Sequence, residues 1–278
     1  MNYFEAVVLG VVEGLTEFLP VSSTGHLMIA EKLLGLPIDD ATAQGRSVGA
    51  YTAVIQMGAI AAVLVYFRRD IWRIARAWFA GLVDPEPRGT LDHRMGWYVI
   101  VGSLPIGVVG FLAKDLIRGP FKSLWVVAIA LIVWSAVMLW AERVGRQNRD
   151  ESGLTLRDAV VMGLLQCIAL VPGVSRSGAT ISAGLFVGLD RVTATRLAFF
   201  LGIPSLTAAG LYELKDVQGI GAGPAIVGTV VAFVVAYASI AWLLRLVAHR
   251  SIGWFVPYRV GLGALLVVLL GAGVMSAT

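Results

Sequence analysis

Cysteine is almost absent from the chain. Cys167 stands alone in an apolar run, which excludes a disulfide framework and a thiolate metal site. Charge is scarce as well. Asp, Glu, Lys and Arg make up 14% of the 278 residues, against about 25% in a soluble domain, so a water-soluble globular protein is excluded. No Walker A run, Rossmann glycine pattern or H-E-x-x-H is present, which removes the common nucleotide, dinucleotide and zinc-protease sites. Basic residues form no stripe on a polar domain. The formal net charge of +4, from 22 Lys and Arg against 18 Asp and Glu, reads as an asymmetry between loops, and no nucleic-acid partner is expected. The opening MNYFEAVVLGVVEGLTE has no basic leader and carries acids inside its apolar part. A cleavable signal peptide is therefore not expected, and the N-terminus should be retained.

Apolar residues are plentiful: 58% of the chain is hydrophobic and the mean hydropathy is +0.81. A helix of about 20 apolar residues crosses a hydrocarbon core of about 30 Å. Six segments qualify, near 50–67, 96–113, 124–141, 194–212, 224–244 and 254–275. Two others are one pattern written twice. EAVVLGVVEGLTEFLPVSSTGHLMIAEKLLGL (5–36) and DAVVMGLLQCIALVPGVSRSGATISAGLFVGL (158–189) align without a gap at an offset of 153, with ten identities in 32 positions. In each, a loop of Ser, Gly and Pro divides the apolar chain into pieces of about 12–16 residues, which is re-entrant or interfacial length. Irregular backbone at membrane depth survives only inside protein or along a wet cavity. Both segments therefore read as helix–loop–helix hairpins that dip in and return. Three spans separate them, an odd number, so they enter from opposite sides. This is an inverted-topology repeat whose loops should meet near the midplane. The expected fold is an all-α integral membrane protein with six transmembrane helices plus two re-entrant hairpins. It forms a single membrane domain over 1–278, made of two halves, 1–145 and 155–278.

Loop charges orient it. Arg68, Arg69, Arg73, Arg76, Arg88, Arg94, Arg143, Arg146, Arg149, Arg157, Arg245 and Arg250 lie on one side, twelve in all. Lys32, Arg46, Lys114, Arg118, Lys122 and Lys215, six in all, lie on the other. The richer side should be cytoplasmic, which puts both termini and the mouth of the first hairpin outside. Arg68–Ala80 has two readings: ordinary positive-inside charge, or a stretch lying on the anionic leaflet with Trp72 and Trp78 at the interface.

The two loops carry the chemistry. Glu13 and Glu17 are four apart and share a helix face. Two carboxylates in an apolar segment repel each other and are costly to bury. A divalent cation, Mg²⁺ or Ca²⁺, resolves both problems; a wet helix end without a role is the alternative. After Pro20 come Ser22, Ser23, Thr24, Gly25 and His26. Hydroxyls and backbone N–H groups ahead of a helix bind anions such as phosphate, and His26 can move protons or attack. Capping of the following helix accounts for the hydroxyls alone. In the second copy, Arg176 stands among Ser175, Ser177, Gly178 and Thr180. Its planar fork suits phosphate, with a salt bridge to Glu13 or Glu17 as the alternative. Gly25 and Gly178 occupy equivalent positions, consistent with a turn that excludes a Cβ. Arg191, Arg196 and Arg259 are expected to snorkel at span ends, with Arg196 a further candidate for the anion. Gln56 is expected to bond between helices, and His93 and His249 to be solvated.

These loops resemble the bacterial undecaprenyl-diphosphate phosphatase family of the bacitracin-resistance type. Glu13 to His26 matches its first motif, (E/Q)xxxE followed by Ser-Ser-Thr-Gly-His, and Pro172–Thr180 matches its second, PGxSRSxxT, in full. The resemblance extends over essentially the whole chain. It implies a multi-pass enzyme of the bacterial cell (inner) membrane with its active site facing outward. Such an enzyme would remove one phosphate from a C55 polyprenyl diphosphate, recycling the lipid carrier for peptidoglycan synthesis. It would also confer bacitracin resistance by lowering the lipid that the drug sequesters. It implies dependence on Mg²⁺ or Ca²⁺ held by Glu13 and Glu17. Arg176 would clamp the diphosphate, and Ser22, Thr24, Gly25, Ser175, Ser177, Gly178 and Thr180 would bind it. The nucleophile stays open among Ser23 with His26 as base, His26 itself, and metal-bound water; the three-residue spacing favours the first. A rival reading is a transporter or flippase of polyprenyl phosphate, since broken inverted repeats are also a transporter pattern. The acids and histidine beside a phosphate site favour the enzyme. Gly-rich faces at Gly221–Gly228 and Gly261–Gly273 leave room for a homodimer.

Overall fold

A computed structural model describes residues 1–38, 42–213 and 221–277. Lys215, counted above for the lysine-poor side, lies outside the described residues, as does the side chain of Arg118. The described chain is helical: α1 Tyr3–Thr16, α2 Ser23–Leu33, α3 Ala43–Tyr66, α4 Arg68–Val83, α5 Leu91–Leu112, α6 Lys114–Arg118, α7 Leu124–Val144, α8 Leu156–Gln166, α9 Arg176–Phe186, α10 Arg191–Glu213, α11 Ala222–His249 and α12 Val256–Gly271. Six segments are long and apolar enough to cross a membrane: α3, α5, α7, α10, α11, and α12 with the turn before it. They fall on the six segments marked in the sequence, and the protein is a multi-pass membrane protein.

Helix starts follow from local sequence. Asn2 and Glu5 close a capping box at α1, and Thr155 and Asp158 close one at α8, at the offset of the internal repeat. Each box satisfies two otherwise orphaned N–H groups. Thr42, Thr90 and Ser123 cap α3, α5 and α7. The paired short helices α1/α2 and α8/α9 run 14, 11, 11 and 11 residues. At 1.5 Å per residue each is about 16–21 Å long, too short for a hydrocarbon core.

Small residues decide how these short helices pack. Ala6, Leu9, Gly10, Glu13 and Gly14 form one buried stripe of α1. A Cβ on Gly10 would lie 2.6 Å from the Gly228 carbonyl oxygen of α11, and one on Gly14 would lie 2.6 Å from that of Ala232. Gly163, the repeat counterpart of Gly10, stands against the Gly102 carbonyl of α5. The first helix of each half thus crosses a span of the other half at backbone contact, which only small residues permit. Gly228 and Gly263 pack against Tyr51 and against α7 of the same chain, so part of each glycine-rich face serves the fold itself. The core lies around Phe18, Phe67, Met138, Phe199 and Leu243, directly beneath the two loops.

Candidate active site

The loops at 17–22 and 171–175 are bound to one another. Ser22 and Ser175 hold the same unusual backbone, φ +80° and +79°, a left-handed conformation costing about 1–3 kcal/mol in a non-glycine residue. Each repays it by N-capping its helix: the Ser22 hydroxyl accepts from Gly25 N–H at 3.3 Å and the Ser175 hydroxyl from Gly178 N–H at 3.1 Å. Ser22 also accepts from Gly173 N–H of the other loop at 3.1 Å. In return Ser177 donates to the Leu19 carbonyl at 2.8 Å. The strained turn expected at Gly25 and Gly178 therefore falls on the serines three residues earlier. Gly25 is small for another reason, since a Cβ there would lie 2.9 Å from Val127 Cγ1.

Arg259 locks this arrangement. It is 0% exposed and donates to Pro20 O of the first loop at 2.9 Å, to Gly173 O and Val174 O of the second at 3.0 and 3.2 Å, and to Ser135 Oγ at 3.1 Å. This corrects the expectation that Arg259 snorkels at a span end. About three turns of α12 follow it, and its fully buried guanidinium takes loop carbonyls in place of water. Such charge-assisted bonds offset the desolvation of a buried cation that has no carboxylate partner. Arg196 is also corrected. Its guanidinium lies 3.5 Å from both Asp70 and Glu151 and over the ring of Phe67, not at the loops. Arg191 pairs with Glu142 at 2.8 Å. His93 is 7% exposed, with Nδ1 3.2 Å from Ala77 O, because α4 folds over it; it is not solvated.

Ser23 and Arg176, one from each repeat, occupy equivalent positions at the first turn of α2 and α9. Both reach the same carboxylate. Ser23 Oγ donates to Glu17 Oε2 at 2.5 Å, and Arg176 Nη2 lies 3.4 Å from Glu17 Oε1. The salt bridge considered as an alternative for Arg176 is thus present. Arg176 also donates to Ala198 O at 3.2 Å, while its buried Nε has no partner among the described residues. A Cβ on Gly202 would run into the guanidinium, a dependence that nothing in the sequence announces. Glu13, one turn before Glu17, is 0% exposed, and among the described residues neither of its carboxylate oxygens has a hydrogen-bond partner.

The structure does not bring His26 to Ser23. Its Nδ1 lies 2.7 Å from Ser22 O and its Nε2 2.6 Å from the Tyr258 hydroxyl, with the two rings stacked 5.6 Å apart. Since the Ser22 carbonyl only accepts, Nδ1 carries the proton and Nε2 accepts from Tyr258. Thr180 turns inward to Arg176 O at 2.8 Å and Gln166 Oε1 at 3.4 Å, and Ser177 is committed to Leu19.

Two adjoining cavities meet at Ser23, Thr24, Gln56 and Pro172. One, about 540 Å³, holds Glu13. The other, about 530 Å³, holds Glu17, Ser175 and Arg176 and continues as an apolar groove between α5 (Ile106, Gly107, Phe111) and α10 (Leu206, Ala209, Tyr212). Gln56 faces this space and not a neighbouring helix, so the expected interhelical bond is corrected.

The arrangement offers a primed hydroxyl, a guanidinium with an open donor and two buried carboxylates under a lipid-sized groove. Over residues 6–265 the chain matches the family described as Bacitracin resistance protein BacA. It is 59% identical over 276 residues to Undecaprenyl-diphosphatase 1 of Streptomyces coelicolor, covering 98% of each chain. To Undecaprenyl-diphosphatase 1 of Streptomyces avermitilis it is 56% identical, covering 99% of each. To Undecaprenyl-diphosphatase of Acidothermus cellulolyticus it is 54% identical over the full length of both. With a polar site built from both repeats and a family match along nearly its whole length, the chain belongs to the bacitracin resistance protein BacA family.

Proposed function

We infer that this chain hydrolyses undecaprenyl diphosphate to undecaprenyl phosphate and inorganic phosphate in the bacterial inner membrane. The observation that carries the reading is the Glu17 carboxylate shared by Ser23 and Arg176 at the head of the apolar groove. A prenyl chain fits between α5 and α10 while the diphosphate reaches the loops. Ser23 is the proposed nucleophile and Glu17 the group that takes its proton, in place of His26. Attack of Ser23 Oγ on the terminal phosphorus breaks its bond to the bridging oxygen and releases the lipid monophosphate. Water then frees phosphate from the serine. Arg176 stabilises the charge that develops on the transferred phosphoryl group. His26, held by Ser22 O and Tyr258, orients the strained turn before Ser23.

A divalent cation, Mg²⁺ or Ca²⁺, is proposed at Glu13 and Glu17. The unpartnered, fully buried oxygens of Glu13 suit a hard cation. Among the described residues no cluster of three or more His, Cys, Asp or Glu surrounds them, so substrate phosphate and hydroxyls would complete the shell, as is common for Mg²⁺. When bound, the ion neutralises phosphate charge. The two hairpins are proposed to be re-entrant, related as an inverted repeat across halves 1–145 and 155–278. Matching capping boxes, matching serine backbones and reciprocal helix crossings support this. The arginine count supports a site facing outward.

Phosphate release from a C55 prenyl diphosphate by the detergent-purified chain is the test, with Mg²⁺ or Ca²⁺ and then with EDTA. Wild type should release phosphate only with metal. Ser23→Ala and Glu17→Gln should each lose at least about 100-fold with an unchanged thermal midpoint. Full activity of Ser23→Ala would move the nucleophile elsewhere, and no release by folded wild type would remove the phosphatase reading.

A further inference from the structure

α4 joins the ends of two spans, α3 and α5, and packs against the first two turns of α5. Arg73, Ala77 and Gly81 meet Asp92 and His93, while Trp78 lies against Gly96 and Trp97. Arg73 Nε bonds Asp92 at 2.9 Å, His93 Nδ1 lies 3.2 Å from Ala77 O, and a Cβ on Gly81 would strike the His93 ring. α4 therefore sits beside the start of α5, at the arginine-rich end of the bundle.

Its surface has three sectors at helical spacing. Ile74, Trp78 and Gly81 pack on α5. Trp72, Phe79 and Val83 project outward, 71%, 64% and 88% exposed. Beside them Arg69, Arg73 and Arg76 form a basic row. Arg73 is held by Asp70 and Asp92, whereas among the described residues Arg69 and Arg76 pair with no carboxylate. An outward apolar sector beside cations at the end of a membrane bundle matches the boundary between acyl chains and acidic headgroups.

We propose that α4 is a binding surface for anionic phospholipid, with Arg69 and Arg76 on the headgroups and Trp72, Phe79 and Val83 in the acyl layer. Neither the family match nor the site chemistry enters this argument. The test is the thermal midpoint of the full chain in mixed micelles titrated with phosphatidylglycerol, or with phosphatidylcholine as control. Phosphatidylglycerol should stabilise wild type at far lower concentration than phosphatidylcholine, with high salt erasing the difference and excess inorganic phosphate leaving it. Each arginine near such a surface is worth about fivefold in association, so Arg69→Gln/Arg76→Gln should need about 25-fold more phosphatidylglycerol. Indifference of wild type to headgroup charge, or an unchanged requirement in the double variant, would overturn the proposal. A second measurement reads depth. Lipid with brominated acyl chains should quench wild type more than Trp72→Phe. If that difference appears instead with aqueous iodide, the apolar sector faces water and the proposal falls.

Discussion

Arg259 shows how one side chain can fix a site without touching its cavity. Its bonds to Pro20, Gly173 and Val174 draw the carbonyls of both loops to one side. Arg259→Met would strand those carbonyls, at about 1–3 kcal/mol for each one left unsatisfied. A lower thermal midpoint and loss of phosphate release are expected together, with Arg259→Lys recovering part of both. An unchanged midpoint in Arg259→Met would mean that the loops hold without it. The sequence marked Glu13, Glu17, Ser23 and Arg176 because charge and hydroxyls among apolar residues need a reason. It gave Arg259 and Gln56 other roles and did not mark Tyr258 or Gly202, because their importance comes from contacts distant in sequence, Arg259 with Pro20, Tyr258 with His26 and Gly202 with Arg176. Spacing also misled in one case. Three residues separate Ser23 from His26, but Ser22 turns left-handed before the helix and the imidazole is carried to Tyr258.

At the scale of elements, the short helices are set by glycine. Gly163→Ala should cost about 1–3 kcal/mol through overpacking against the Gly102 carbonyl. Gly261→Ala, with nothing within 4 Å of the added carbon, should leave the thermal midpoint alone. Equal effects would mean the α8–α5 crossing is looser than described. The start of α8 adds a pH dependence. Burial pushes the Asp158 carboxyl up, but bonds from Arg149 and Thr155 outweigh this and hold it below the usual carboxylate range. A depressed acid stabilises the fold above its unfolded value, about 3.9, and that contribution is lost as the pH falls through the lower folded value. The midpoint should therefore drop on acidification below about pH 4, and Asp158→Asn should flatten that limb. The six spans and the four short helices α1, α2, α8 and α9 were legible from apolar length alone, within a few residues. The packing of Trp78 and Gly81 of α4 on α5 was not, because its pattern fits a helix on the leaflet and ordinary positive-inside charge equally well.

Over the whole molecule, the internal duplication was the most legible feature, and it placed both loops before any contact was known. What it left open was how closely the halves interlock and where a lipid would enter. Gly107 faces the groove with open space around it. Gly107→Leu should therefore raise KM for a C55 substrate by about tenfold while sparing a short-chain prenyl diphosphate. An equal effect on both would place the tail elsewhere. The reciprocal crossings also bear on how the protein is made. α1, which carries Glu13, leaves the ribosome before α11, on which its Gly10 and Gly14 seat. Its seat emerges roughly 200 residues later, a delay of about 10–40 s at ordinary rates of synthesis. Until then the nascent chain must shelter an acidic helix away from its seat. The emergence of α11 is therefore the event that lets α1 dock.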